Sequence, residues 1–264
     1  MDVHFGCTQC GNCCRGLKLP LTVLEAVDWL KDGHSVQLIC EAVPWPGEPP
    51  ADDRKAAHRR RRSFAVTSGS MPSRVVVILA ANFAGSCPNL MTDMRCGIYE
   101  RRPLVCRVYP AEINPFIQLD PTRKACPTEA WNAEHPLLLR DGRIVDARVR
   151  ENIRQSRKTD GREVEIKRCL CAAMNLNAAA LAEEGFVVHS PDRAVLLKEL
   201  ARAMQRTDAV NADTQWCFVS NRAETVAALA ALGAVAALAG ARGISSCEYL
   251  GFHPPSSAIG SSPG

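Results

Sequence analysis

Hydrophobic and polar positions divide the chain into segments of different period. In "LTVLEAVDWLKDG", Val23, Leu24, Val27 and Leu30 recur at helical spacing, and Thr22 stands three residues before Glu25 as in a capping box. With Gly33 as a stop, this predicts a helix over residues 23 to 32, packed beside the loop that precedes it. "SRVVVILA" is a short apolar run of β-branched residues and predicts a buried strand. "RDGR" predicts a turn. Between these, residues 41 to 63 hold four prolines and an "HRRRR" run, read as a flexible insertion with a solvated charge cluster.

From Arg168 the composition shifts to alanine and leucine. "NAAALAEEG", "SPDRAVLLKELARAMQ" and "SNRAETVAALAALGAVAALAG" all predict helices. Ser190 with Pro191 suits the start of the second, and Ser220 or Asn221 the cap of the third. Residues 253–264, "HPPSSAIGSSPG", read as a disordered tail. The expected fold is therefore α+β: a cysteine-rich domain of short strands, loops and helices over residues 1–130, then a mainly α-helical region over 131–252.

At 264 residues the chain can bury a sizeable core without covalent staples. Its net charge of +4 leaves no concentrated basic face, so nucleic acid is not an expected partner. The most apolar stretch, "TVAALAALGAVAALAGARG", falls short of the roughly 20 residues of a membrane span. No basic stretch followed by an apolar run marks a leader at the start, and the expectation is a cytoplasmic protein whose thiols stay reduced.

That expectation gives the thirteen cysteines their meaning. The chain opens with "CTQCGNCC": Cys7, Cys10, Cys13 and Cys14. A C-x2-C turn aims two thiolates at one ion, and three cysteines at two-residue gaps begin the spacing of bacterial ferredoxins. The same spacing suits zinc, whose structural sites take four Cys or Cys/His ligands. Gly11 supplies the backbone freedom of the turn. Adjacent side chains in an extended segment point apart, so Cys13 and Cys14 serve either two metals or one metal and a spare thiol.

A second group follows in "CPNLMTDMRCGIYERRPLVCRVYP", with Cys87, Cys96 and Cys106, and Cys126 is a further candidate. Arg95, Arg101, Arg102 and Arg107 crowd this segment, where cations would offset the negative charge of a thiolate-bound metal. Tyr99 and Tyr109 are expected to pack beside the metal loops and donate hydrogen bonds to thiolates. His4 is the histidine nearest the cluster and a possible substitute ligand. Cys40, Cys169, Cys171, Cys217 and Cys247 are scattered; Cys40, Cys217 and Cys247 read as small core residues.

"FGCTQCGNCCRG", then "LT" with a Glu, then "CPNL" and "RCGIYERRPLVCRVYP" resemble the CxxCxxCC cysteine-cluster family of zinc- or iron-chelating domain proteins, over about residues 5 to 110. The resemblance implies metal-ligand roles for Cys7, Cys10, Cys13, Cys14, Cys87, Cys96 and Cys106, with a possible extension to Cys126. The flagellin lysine N-methylases share this domain and are thought to use an iron–sulfur cluster. Two functions follow as expectations. One is a metal-binding protein holding a 4Fe-4S cluster or zinc in a structural, electron-transfer or metal-handling role. The other is a cluster-dependent protein lysine N-methyltransferase using S-adenosylmethionine, with a protein as partner or substrate. The ligand set alone leaves zinc and iron–sulfur open; ferredoxin-like spacing and the methylase relatives tilt the expectation towards iron–sulfur.

Overall fold

The computed structural model describes residues 2–205, 215–241 and 247–254. In chain order the elements are β1 (Val3–His4), β2 (Leu19–Leu21), α1 (Val23–Lys31), β3 (Ser35–Pro44), α2 (Arg54–Arg61), β4 (Phe64–Ser68) and β5 (Met71–Asn82). Then come α3 (Leu104–Val108), β6 (Leu137–Arg140), β7 (Arg143–Ile144), α4 (Ala147–Arg162), α5 (Val164–Ala173), β8 (Ala178–Leu181) and β9 (Gly185–His189). The last are α6 (Arg193–Gln205), β10 (Cys217–Ser220), α7 (Ala223–Ala231), β11 (Ala236–Leu238) and β12 (Cys247–Gly251).

Two compact units divide the chain, each assembled from separate stretches: residues 1–35 with 80–162, and residues 36–79 with 163–264. The division is thus not a cut at a single point in the sequence.

The first unit is short strands, short helices and loops. Its α1 carries the expected capping box, Thr22 and Glu25 each bonding the other's backbone. The Glu25 carboxylate accepts from Thr22 N at 2.9 Å through one oxygen and from Leu104 N at 2.7 Å through the other. One side chain therefore caps α1 and anchors the start of α3, two residues before Cys106. On the far side of α3, Val108 and Ala111 pack with Ile153 of α4 in a small apolar cluster. β6 and β7 form a hairpin over Asp141 (φ 47°) and Gly142 (φ 75°), as "RDGR" foretells, and β1 joins β6 antiparallel.

The second unit corrects the expectation of a mainly helical C-terminal region: it is mixed α/β. Its strand order runs β11-β10-β8-β3-β5, with β3, β8, β10 and β11 mutually parallel. β9 pairs antiparallel with β3, β12 with β9, and β4 with β5. "NAAALAEEG" makes β8 rather than a helix, and the long alanine-rich stretch makes α7, a turn at Gly233 (φ 82°) and then β11. Alanine suits a helix by propensity, but Ala178 and Ala180 of β8 are buried with Val219 and Val187 in a core between strands. Tertiary packing overrides local preference here.

The caps differ as well. Asp192 accepts from Ala194 N and Val195 N ahead of α6, in place of Ser190. Arg222, without a side-chain cap bond, precedes α7, while Ser220 accepts from the Arg222 backbone. Within residues 41 to 63 the structure has order: Glu41–Pro44 end β3, and Arg54–Arg61 form α2 with Asp53 as its cap. Most of the tail expectation falls on residues 255–264, outside the described residues. Among the described residues no helix is long and apolar enough to cross a membrane.

Candidate metal centre

The "CTQCGNCC" segment wraps into a loop that ends in a 3-10 turn, Asn12–Cys14. Gly11 enters that turn at φ 72°, in the left-handed region. A Cβ there would lie 2.8 Å from both Met94 O and Met94 Cε and 2.9 Å from Leu90 Cδ1. The glycine is thus required twice, by the backbone and by the close approach of the segment that carries Cys87 and Cys96.

That approach is stitched by main-chain bonds. Cys87 N donates to Cys14 O at 2.7 Å, and Arg15 bridges to Ser86. Leu90 bridges to Cys96, and Gly97 N donates to Asn89 O at 2.8 Å. At the other end of the loop, Gly6 N donates to Ala130 O at 2.9 Å and Phe5 packs against Trp131 with centroids 5.0 Å apart and the rings tilted by 53°. Cys7 is thereby held near the segment that follows Cys126.

The result is one cavity of about 270 Å³ lined by Cys7, Cys10, Cys13, Cys14, Cys87, Cys96, Cys106 and Cys126, all within the first unit. Leu19, Trp29, Ile98 and Val105 supply apolar wall. The structure gathers every cysteine that the sequence singles out, including Cys126. All are free thiols; Cys7 is exposed and the other seven are partly buried.

Burial raises the thiol pKa of Cys87 and Cys126, and pushes Cys106 up to about 12 with help from nearby Cys14 and Cys87. The doublet behaves differently. Cys14 donates a hydrogen bond to Cys13, which holds Cys13 below the ordinary thiol value and drives Cys14 well above it; burial opposes the first shift and adds to the second. The segment is a turn rather than extended, so the two sulfurs sit side by side instead of pointing apart.

Around the thiols stand three groups. Tyr99 and Tyr109 line the cavity beside Cys7 and Cys126, and Tyr109 Oη accepts from Ala125 N at 3.0 Å. Arg102 lies 3.7 Å over the Tyr99 ring centroid, donates from Nε to Tyr99 O at 2.8 Å, and acts electrostatically on Cys14 and Cys106. The two tyrosines thus pack beside the cysteine loops, as expected. Of the other three arginines, Arg107 faces Glu25 at 4.0 Å and Arg95 faces Asp93 at 3.9 Å. His4 Nδ1 is engaged with His135 O at 2.7 Å. Glu25 is a residue that the sequence offers only as a cap; its link to α3 crosses 79 positions and has no local signal.

Cys40 also has company that spacing does not reveal. It is fully buried in the second unit, hydrogen-bonded to Cys171 and within electrostatic reach of Cys247.

The donor set around the cavity is almost wholly thiol, which suits zinc, iron–sulfur clusters and other thiophilic ions. Among the described residues no group of three or more His, Cys, Asp or Glu side chains has an arrangement that holds a metal ion as it stands. The thiols surround the cavity without meeting at a point.

Nothing matches the chain among curated proteins or among solved structures. A family model does match, over residues 6–127, and its span takes in all eight cavity cysteines. The model matched by residues 6–127 is that of the CxxCxxCC family, described as "Putative zinc- or iron-chelating domain".

Proposed function

We propose that the protein binds metal through this cavity, as an iron–sulfur cluster or as zinc, in a structural, electron-transfer or metal-handling role. The observation that carries the reading is the convergence of eight cysteines, from residues 7 to 126, on one cavity with a largely apolar lining. An inert core has no use for that arrangement, because its cysteines would be buried among hydrophobes rather than lining open space. The donors around it are those that tune a thiolate centre: two phenols and a guanidinium that stacks on one of them.

Bound metal would supply cross-linking of loops that bury little apolar area, and an iron–sulfur cluster would add one-electron chemistry. The chain's own residues provide the thiolates, shield them with Leu19, Trp29 and Ile98, and place Arg102 against the charge. Free thiols throughout fit a compartment that keeps cysteine reduced.

The test is metal and acid-labile sulfide per chain, with a visible spectrum, on protein purified without oxygen. Iron with matching sulfide and a broad band near roughly 400 nm supports the cluster and justifies assays of electron and methyl transfer. Zinc without sulfide or colour supports a structural or metal-handling site. Neither metal in stoichiometric amount overturns the proposal.

A further inference from the structure

Cys217 and Cys247 read as small core residues in the sequence; they belong to the second unit and line no part of the metal cavity. The strand registers bring them together. In the parallel pair of β8 and β10, Cys217 lies beside Ala178 and Val219 beside Ala180. In the antiparallel pair of β9 and β12, Cys247 lies opposite His189 and Tyr249 opposite Val187. Alternate positions of a strand share a face, so each pair of strands presents one row of these residues. The two rows meet: Ala178, Ala180 and Val219 pack with Val187, Cys247 and Tyr249. His189 Nε2 is hydrogen-bonded to Ala178 O at 3.1 Å, which sets the His189–Cys247 layer against the Ala178–Cys217 layer. At the other end of the rows, Tyr249 Oη donates to Glu184 O at 3.3 Å and Ser220 Oγ to Glu184 Oε2 at 2.7 Å. These bonds fix the direction in which the rows run, and Cys217 and Cys247 fall at the same end.

We infer that Cys217 and Cys247 form a reversible disulfide that clamps β12 onto β10. The inference is independent of the metal-binding reading. β12 is laddered to β9 rather than to β10, yet Cα atoms of β10 and β12 come within 8 Å of each other. A disulfide across two packed layers has a precedent in the inter-sheet bridge of antibody domains. Both thiols are partly buried, open enough for a small reagent, whereas Cys40, Cys169 and Cys171 are exposed by 5% or less. Burial raises the thiol pKa of Cys217, and the nearby Cys247 raises it further.

The oxidant is a low-molecular-weight disulfide, RSSR, taken from solution. The thiolate of one cysteine attacks a sulfur of RSSR and breaks its S–S bond, so that a mixed disulfide forms and one RS⁻ leaves. The thiolate of the other cysteine then attacks the protein sulfur of that mixed disulfide and releases the second RS⁻. The two protons given up by the cysteines end on the two released thiols; the cysteines are oxidised and RSSR is reduced. Excess RSH reverses both steps. Because α7 and β11 lie between the two cysteines in the chain, the bridge closes a loop around them and restricts the unfolded state of the second unit.

The experiment equilibrates reduced full-length protein with glutathione buffers stepped from fully reduced to fully oxidised. Each sample is then quenched with acid, alkylated and mapped as peptides by mass spectrometry. The expected product is a pair of peptides joined through Cys217 and Cys247, lighter by two hydrogens than the separate peptides and lost when excess thiol is restored. This map uses the wild type alone and stands even where a variant fails to fold. Hydrogen exchange over β10 and β12 should slow on oxidation in the wild type and stay unchanged in C217S and C247S. Cysteines 217 and 247 that remain alkylatable in the fully oxidised buffer overturn the inference. So does pairing of either with Cys40, Cys171 or a cavity cysteine in place of the other. Equal slowing of exchange in the variants would assign the effect to other thiols and overturn the clamp.

Discussion

Replacing Gly11 with alanine isolates the turn on which the cavity depends. At φ 72° an alanine adopts a left-handed conformation that costs about 1–2 kcal/mol. Its methyl group would also meet Met94 O at 2.8 Å, a backbone atom that moves only if the 87–96 segment moves. Overpacking of that kind adds about 1–3 kcal/mol. A smaller gain, about 0.4–1 kcal/mol, comes from the stiffer unfolded chain. The net local loss is therefore about 2–4 kcal/mol. Gly16 is the internal control: its φ is 63° but nothing lies within 4 Å of its Cβ position, so G16A should lose only about 1 kcal/mol. Hydrogen exchange by mass spectrometry over peptides spanning residues 5–20 and 85–98 reads this directly. With tenfold in exchange per about 1.4 kcal/mol, G11A should speed exchange by about 30-fold or more and G16A by about 5-fold. Metal content should fall in G11A, because Cys10 and Cys13 shift relative to Cys87 and Cys96. Equal effects of the two substitutions would refute the close-approach argument and leave the backbone term as the whole explanation.

Three more outcomes follow from the same geometry. C10S should lose metal and lower the stability of the first unit, whereas C247S, in the second unit, should leave metal content unchanged; elemental analysis and melting curves check both. R102K keeps the charge but gives up the planar stack at 3.7 Å and the forked donors, so competition with a chromophoric chelator should show about 10–100-fold weaker metal binding; an unchanged affinity would remove Arg102 from the site. His189 is 3% exposed, and its burial lowers its pKa below the ordinary value, partly offset by its bond to Ala178 O at 3.1 Å. The unfolded chain then binds the proton first as pH falls, so this histidine's stabilising contribution is present above its unfolded pKa of about 6.5 and declines below it. Urea midpoints between pH 8 and pH 5 should fall less in H189Q than in wild type, and parallel curves would contradict the assignment.

The sequence by itself determined the parts of this protein whose causes are local. A capping box acts across three residues, and Thr22 with Glu25 forms one. Asp141 and Gly142 make the hairpin turn that their residue types favour, and "SRVVVILA" lies within the strand β5. The C-x2-C-x2-CC spacing marks Cys7, Cys10, Cys13 and Cys14, because a turn that aims sulfurs inward leaves its mark in the gaps between them, while the family resemblance adds Cys87, Cys96 and Cys106 and leaves Cys126 as a possible extension. Tertiary structure decided what depends on partners distant in the chain. The alanine-rich segments become β8 and β11 because they pair as parallel neighbours of β10, and that distant pairing with the burial of Ala178 and Ala180 outweighs helical propensity. Glu25 reaches Leu104, Arg102 stacks on Tyr99 in the cavity wall, and Cys126 joins the same cavity as Cys7 and Cys10. Spacing shows which residues are ligand candidates, but which of them face each other is set by hydrogen bonds such as Cys87 N to Cys14 O, across segments more than seventy residues apart.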